Sequence, residues 1–173
     1  MSRGVSIAMT GGLLAIGVPL VLPVPKALIW NASASAPVGL YAVQSGGELH
    51  AGDMVAVMPP AKIAAFMDRR GYLPTGLPLI KQVAANSGQG VCRSGNTITI
   101  DGQTVAEALT RDSSGRPLPV WSDCQMLGLG ELFLLNDTPD SFDGRYFGLT
   151  SRNAVIGRVH PIFLPTSNER SNP

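Results

Sequence analysis

Thr97-Ile98-Thr99-Ile100-Asp101-Gly102-Gln103-Thr104-Val105 is the stretch that sets the fold class. β-Branched residues run up to an Asp-Gly pair and resume after it. That pair predicts a two-residue type I′ hairpin, because both central positions need positive φ. Outward from the hairpin the same kind of segment recurs. Leu77 to Ala84, Glu131 to Leu135 and Asn153 to Phe163 predict strands, as do Gly39 to Val43 and Asp53 to Met58, which flank the turn at Gly46-Gly47. Short apolar runs punctuated by Gly and Pro are the mark of a mostly β protein. Pro59-Pro60 opens the one expected soluble helix, Ala61 to Arg70. Ile63, Phe66 and Met67 share a face, Arg69 and Arg70 close the last turn, and Gly71 supplies the stop. Thr110 to Leu127 has no period and reads as a long loop, a type that often carries function.

The chain has 173 residues, enough for one domain with a sizeable core. A net charge of +1 gives no basic field, so nucleic acid is not expected as a partner. From Gly4 to Pro25 no charged residue occurs. Such a run, about 22 residues long, suffices to span a bilayer. A single transmembrane helix is expected near Ser6 to Leu22, with Arg3 on the cytoplasmic side and Trp30 at the far interface. A cleaved signal peptide competes with this reading. Ala32-Ser33-Ala34 has the small residues of a cleavage site but stands far beyond the apolar run. The expected organisation is residues 1–26 as stub and anchor, 27–165 as the domain outside the cytoplasm, and 166–173 as a flexible tail.

Two positions invite a chemical reading. Ser35 lies in the small-residue stretch Asn31 to Tyr41, just after the apolar run. A serine hydroxyl becomes a nucleophile only with a base beside it. The chain has three lysines, Lys26, Lys62 and Lys81. Strand alternation puts Lys81 on one face with Leu79 and Val83. A snorkelling or edge-strand lysine is the plainer account of such a residue. The cysteines are Cys92 and Cys124. Outside the cytoplasm they have one intramolecular pairing available. A bridge would close a loop of about 33 residues and contribute on the order of 3 kcal/mol. Two unrelated buried thiols are the alternative. His50 and His160 show no ligand spacing to the cysteines, so neither a metal nor another cofactor is expected.

The order of several segments resembles a known family. Ser35-Ala36-Pro37-Val38-Gly39-Leu40-Tyr41 is followed by Gly52-Asp53, by Ile80-Lys81-Gln82-Val83 and by Asp101-Gly102. Gly115-Arg116-Pro117-Leu118-Pro119 and Ser141-Phe142-Asp143-Gly144-Arg145-Tyr146-Phe147-Gly148 come after. The set is similar to the type I signal peptidases, serine/lysine proteases, and within them to the TraF branch of conjugative transfer peptidases, which mature pilin. The resemblance implies a signal-peptidase-like antiparallel β-sheet domain behind one membrane anchor. It implies Ser35 as nucleophile and Lys81 as general base. It places Ser33 at the oxyanion hole, Ser141 as the hydroxyl that holds the lysine, and Asp143 and Arg145 as a supporting pair. In a strand the two would share a face and could pair.

Three departures separate this chain from housekeeping signal peptidases. Ala36 stands where methionine is usual, Pro37 is one residue nearer the serine, and Asn136-Asp137-Thr138-Pro139-Asp140 replaces the usual Asn-Arg segment. What the resemblance implies is therefore a bacterial inner-membrane enzyme whose catalytic domain is periplasmic. Its expected partners are pilin precursor, membrane lipid and other transfer proteins, with ring closure as one outcome of its acyl-enzyme. A general signal peptidase and a catalytically idle anchored β scaffold remain the alternatives.

Overall fold

The computed structural model describes residues 27–165, so the expected membrane segment and tail lie outside the described residues. In chain order the elements are β1 (Ala27–Asn31), β2 (Gly39–Gln44), β3 (Met54–Val57), α1 (Ala61–Arg70), β4 (Leu79–Ala85) and β5 (Gly90–Ser94). Then come β6 (Thr97–Ile100), β7 (Gln103–Glu107), β8 (Asp123–Met126), β9 (Glu131–Leu135), α2 (Gly144–Phe147), β10 (Leu149–Ser151) and β11 (Val155–Phe163). No described helix is long and apolar enough to cross a membrane.

Two antiparallel sheets result. One has seven strands in the order β1-β2-β11-β3-β4-β9-β10, the other four in the order β7-β6-β5-β8. The hairpin forms as expected, with φ of 49° at Asp101 and 81° at Gly102. The Asp101 carboxylate accepts from the Gly90 N–H at 2.8 Å and so ties the turn to the start of β5. α1 matches its expected bounds. Gly71 takes the left-handed conformation (φ 71°) and its N–H closes on the Asp68 carbonyl. Ala64 and Met67 are buried, with Ile63 and Phe66 packed beside them.

The large sheet buries both of its faces. Val55, Val57, Leu79, Val83, Leu132 and Leu134 join Met67 of α1 in one cluster. Ala56, Ile80, Tyr41, Val43 and Val159 form another. Neighbours in β4 thus go to opposite cores, as the strand period requires. Lys81 pairs with Val55 across the ladder and is 1% exposed. It is an interior residue of a central strand, so the edge and snorkelling accounts do not apply. Phe133, Leu135 and Ala85 meet Val91, Ile98 and Ile100 of the small sheet and join the two layers.

Four expectations need correction. Thr110 to Leu127 is not loop throughout: β8 lies inside it and pairs with β5, an element without a clear sequence signal. All four β8 residues are exposed, so hydrophobic alternation could not announce it. Chain enters the large sheet before Gly39, through β1. The last strand begins after a 3₁₀ turn at Arg152–Ala154. Finally, Asp143 and Arg145 pair at 2.6 Å, but from a helix start rather than from a strand face. Asp143 caps a second short helix, α2, by accepting from the Arg145 N–H at 3.1 Å. Gly144 makes that turn feasible, since a Cβ there would sit 2.6 Å from the Leu134 carbonyl oxygen.

Candidate active site

Ser35 lies in the loop between β1 and β2, and the loop is built on one buried amide. Asn31 Nδ2 reaches the carbonyls of Ser33 (2.9 Å), Ala36 (3.0 Å) and Pro37 (3.0 Å), while its Oδ1 accepts from the Ser33 N–H. Tyr41 Oη donates to the Pro37 carbonyl at 2.7 Å from β2. Polar backbone that would be unsatisfied in a turn is thereby paired.

A second asparagine fixes the loop to β4. Asn136 Nδ2 donates to the Ser35 carbonyl at 2.6 Å and to the Ile80 carbonyl at 3.1 Å, and its Oδ1 accepts from the Gln82 N–H. Thr138 Oγ1 adds a bond to the same Ser35 carbonyl at 3.3 Å. Ser35 is thus held against the strand that carries Lys81, although three strands lie between β1 and β4 in the sheet order.

Lys81 Nζ stands 3.4 Å from Ser35 Oγ and 2.7 Å from Ser141 Oγ. Burial drives its pKa down to about 8, with Asp143 pulling upward, Arg145 downward and Asp140 upward. Ser141 also bonds the Asp143 carboxylate. Asp143 is fully buried, pairs with Arg145 Nη1 at 2.6 Å and accepts from the Asn136 N–H at 3.1 Å. Burial pushes its carboxyl up from the ordinary range, while Arg145 and then Lys81 pull against that. Arg145 Nη2 donates to the Asn136 carbonyl at 2.9 Å, which closes the network. Phe142 lies between Ser141 and Asp143. Its ring stacks on Phe66 and Tyr146 at centroid distances of 5.4 and 5.3 Å, which anchors the segment in the core.

Ser33 Oγ lies 3.0 Å from Ser35 Oγ and accepts from the Ser35 N–H at 3.4 Å. The structure therefore brings Ser33, Ser35, Lys81, Ser141, Asp143 and Arg145 into one connected constellation. Cys92 and Cys124 are bridged, but across β5 and β8 of the small sheet. Sequence reading missed Asn31 and Asn136 as organisers. Asn31 had a signal, an asparagine opening a small-residue turn. Asn136 had none, because its side-chain partners are 54 to 101 residues away.

A groove of about 760 Å³ opens on Ser35. One wall is β1 and its loop, from Leu28 to Ser35, and the other is 77–81. Leu109 also lines the groove, with Asp112 and Leu118 from the long loop. Asp112 pins that loop to α1: it accepts from Tyr72 Oη at 2.5 Å and pairs with Arg70 and Arg116. Among the described residues no cluster of histidine, cysteine and carboxylate could hold a metal. The arrangement offers a hydroxyl, an amine kept from ready protonation, and a groove for an extended chain. These are the parts that acyl transfer through a serine ester requires.

The chain belongs to the signal peptidase family, peptidase S26, whose model matches residues 2–164. It is 35% identical over 144 residues to the plasmid transfer protein TraF of Escherichia coli, covering 76% of this chain and 80% of that one. It is also 35% identical over 145 residues to the conjugal transfer protein TraF of Agrobacterium fabrum, covering 77% and 80%. A signal peptidase I of Enterococcus faecalis aligns in three dimensions over 67% of this chain and all of its own, at 20% identity and a TM-score of 0.40.

Proposed function

We propose that this chain is a membrane-anchored serine peptidase that processes the pilin precursor of a conjugative transfer system, with Ser35 and Lys81 as its catalytic pair. The observation that carries the reading is the buried Lys81 amine, 3.4 Å from one serine hydroxyl and 2.7 Å from another. At neutral pH roughly one tenth of an amine with a pKa near 8 is unprotonated, a usable fraction for a general base. Ser141 accepts one N–H of that amine, which leaves its lone pair for the Ser35 proton. Asp143 and Arg145 act as positioning residues behind Ser141.

The precursor lies extended in the groove with its acyl side along β1. Ser35 Oγ attacks the carbonyl after a small residue. Ser33 Oγ and the Ser35 N–H stabilise the oxyanion, a donor pair of which each member is worth about 3 kcal/mol in comparable sites. Lys81 passes the proton to the departing amine, and a serine ester remains. Water resolves the ester by hydrolysis; an amine of the same chain resolves it by ring closure. The resemblance to transfer proteins named TraF supports pilin as substrate. The uncharged run before Lys26 supports an inner-membrane anchor with residues 27–165 in the periplasm.

Lys81→Arg is the deciding variant. Guanidinium keeps the charge but cannot accept a proton. Processing of the precursor is expected to stop, and wild-type processing is expected to rise with pH through about 8. Processing by folded Lys81→Arg protein at the wild-type rate would remove Lys81 from the mechanism.

A further inference from the structure

Ser35 borders two depressions, and the groove accounts for one of them. The other is a cleft of about 340 Å³ walled by the loop 34–37, Met54, Gln82 and the segment 136–138. Ala34, Ser35 and Thr138 line both. A chain laid across Ser35 therefore has somewhere to go in each direction. The groove wall is largely apolar and runs back along β1. The groove also carries Lys81, Asp112 and Asp140, whereas in the cleft Asp137 is the one charged lining residue. Asp137 is exposed, and its carboxylate forms no hydrogen bond or ion pair among the described residues. Its neighbours are spoken for, Asn136 and Thr138 both bonding the Ser35 carbonyl. The backbone on either side of Asp137 is thus fixed while its charge stays free.

We infer that this cleft receives the amine side of the scissile bond, and that Asp137 selects a leaving peptide with a cationic residue close to that bond. The inference rests on Ser35 being the nucleophile. When the Ser35 Oγ–carbonyl bond forms and the peptide C–N bond breaks, the amine takes the proton that Lys81 removed from Ser35. The freed peptide then leaves through the cleft. A carboxylate there attracts a cationic residue of the leaving peptide and repels an anionic one.

The test uses full-length protein in detergent and two peptides with one Ala-rich acyl side. One carries Lys at the first two leaving positions, the other Glu. Wild-type protein is expected to favour the Lys peptide in kcat/KM by about fivefold, the worth of one exposed ion pair. The preference should shrink with added salt. Asp137→Asn should bring the ratio near one, and Asp137→Lys should invert it. A ratio unchanged in both variants would overturn the inference while leaving Ser35 in place. Ser35→Ala separates the two ideas, because cleavage by that variant at the wild-type rate would remove the nucleophile and the inference together.

Discussion

Replacing Lys81 by Met tests the least ordinary feature of this structure, an amine buried to 1% exposure in a central strand. Met has nearly the same length and reach without the charge. The native pKa of Lys81 is about 8 and its ordinary value 10.5. Below pH 8 the folded protein must therefore hold a proton it binds weakly. That difference corresponds to about 3 kcal/mol of destabilisation. The variant also loses the Lys81–Ser141 hydrogen bond, which offsets about 1 kcal/mol of the gain. Lys81→Met should be more stable than wild type by about 2 kcal/mol at pH 7. In a domain of this size that is a rise in Tm of about 4–8 °C. The sign with pH follows from proton counting. Between pH 8 and 10.5 the unfolded chain holds more protons on this residue than the folded one, so wild-type stability rises with pH. The stability is present in full above 10.5 and is lost as pH falls through 8. The gap to Lys81→Met should thus close and reverse slightly near pH 10.5, other titrating groups cancelling in the comparison. Urea unfolding of both proteins from pH 6.5 to 10.5 gives the curve. A gap that stays flat with pH, or a Met variant less stable at pH 7, would refute the reasoning.

Two further outcomes follow from the same network and from the small sheet. Asn136→Ala removes the donors to the Ser35 and Ile80 carbonyls and the acceptor for Gln82, so urea unfolding should show a loss of about 2–3 kcal/mol. Precursor cleavage should fall with it, because the serine loop is no longer tied to β4. Replacing Cys92 and Cys124 together by Ser should cost about 3 kcal/mol of stability by freeing the unfolded chain. Processing at low temperature should persist, since the bridge joins β5 to β8 outside the Ser35 network.

The hairpin at Asp101-Gly102 and α1 were legible because their signals are local. An Asp-Gly pair meets the φ requirement of its own turn, and Pro60 and Gly71 bracket a helix whatever the chain does elsewhere. β8 and β1 were not legible for the opposite reason. Each pairs with a neighbouring strand, and β8 is exposed along its whole length, while of residues 28–31 in β1 only Ile29 and Asn31 turn inward. The i, i+2 spacing of Asp143 and Arg145 fits a shared strand face as well as any other arrangement. The side-chain cap of Asp143 and the close approach allowed by Gly144 turn the chain into α2 instead.

For the site the division is similar. The sequence by itself determined which residue types were present and in what order: Ser33 and Ser35 in a turn of small residues, one lysine among apolar strand neighbours, and a late segment with Ser141, Asp143 and Arg145. Those facts follow from the covalent chain and its periodicities. Only the tertiary structure decided that Lys81 is interior rather than at an edge, because burial depends on the strands packed on either side of β4. It also decided that Asn136 holds the serine loop, since a hydrogen bond between residues 101 apart leaves no trace in local pattern. The depressed pKa of Lys81 belongs to the same class: it arises from removing an amine from water, which no residue does alone.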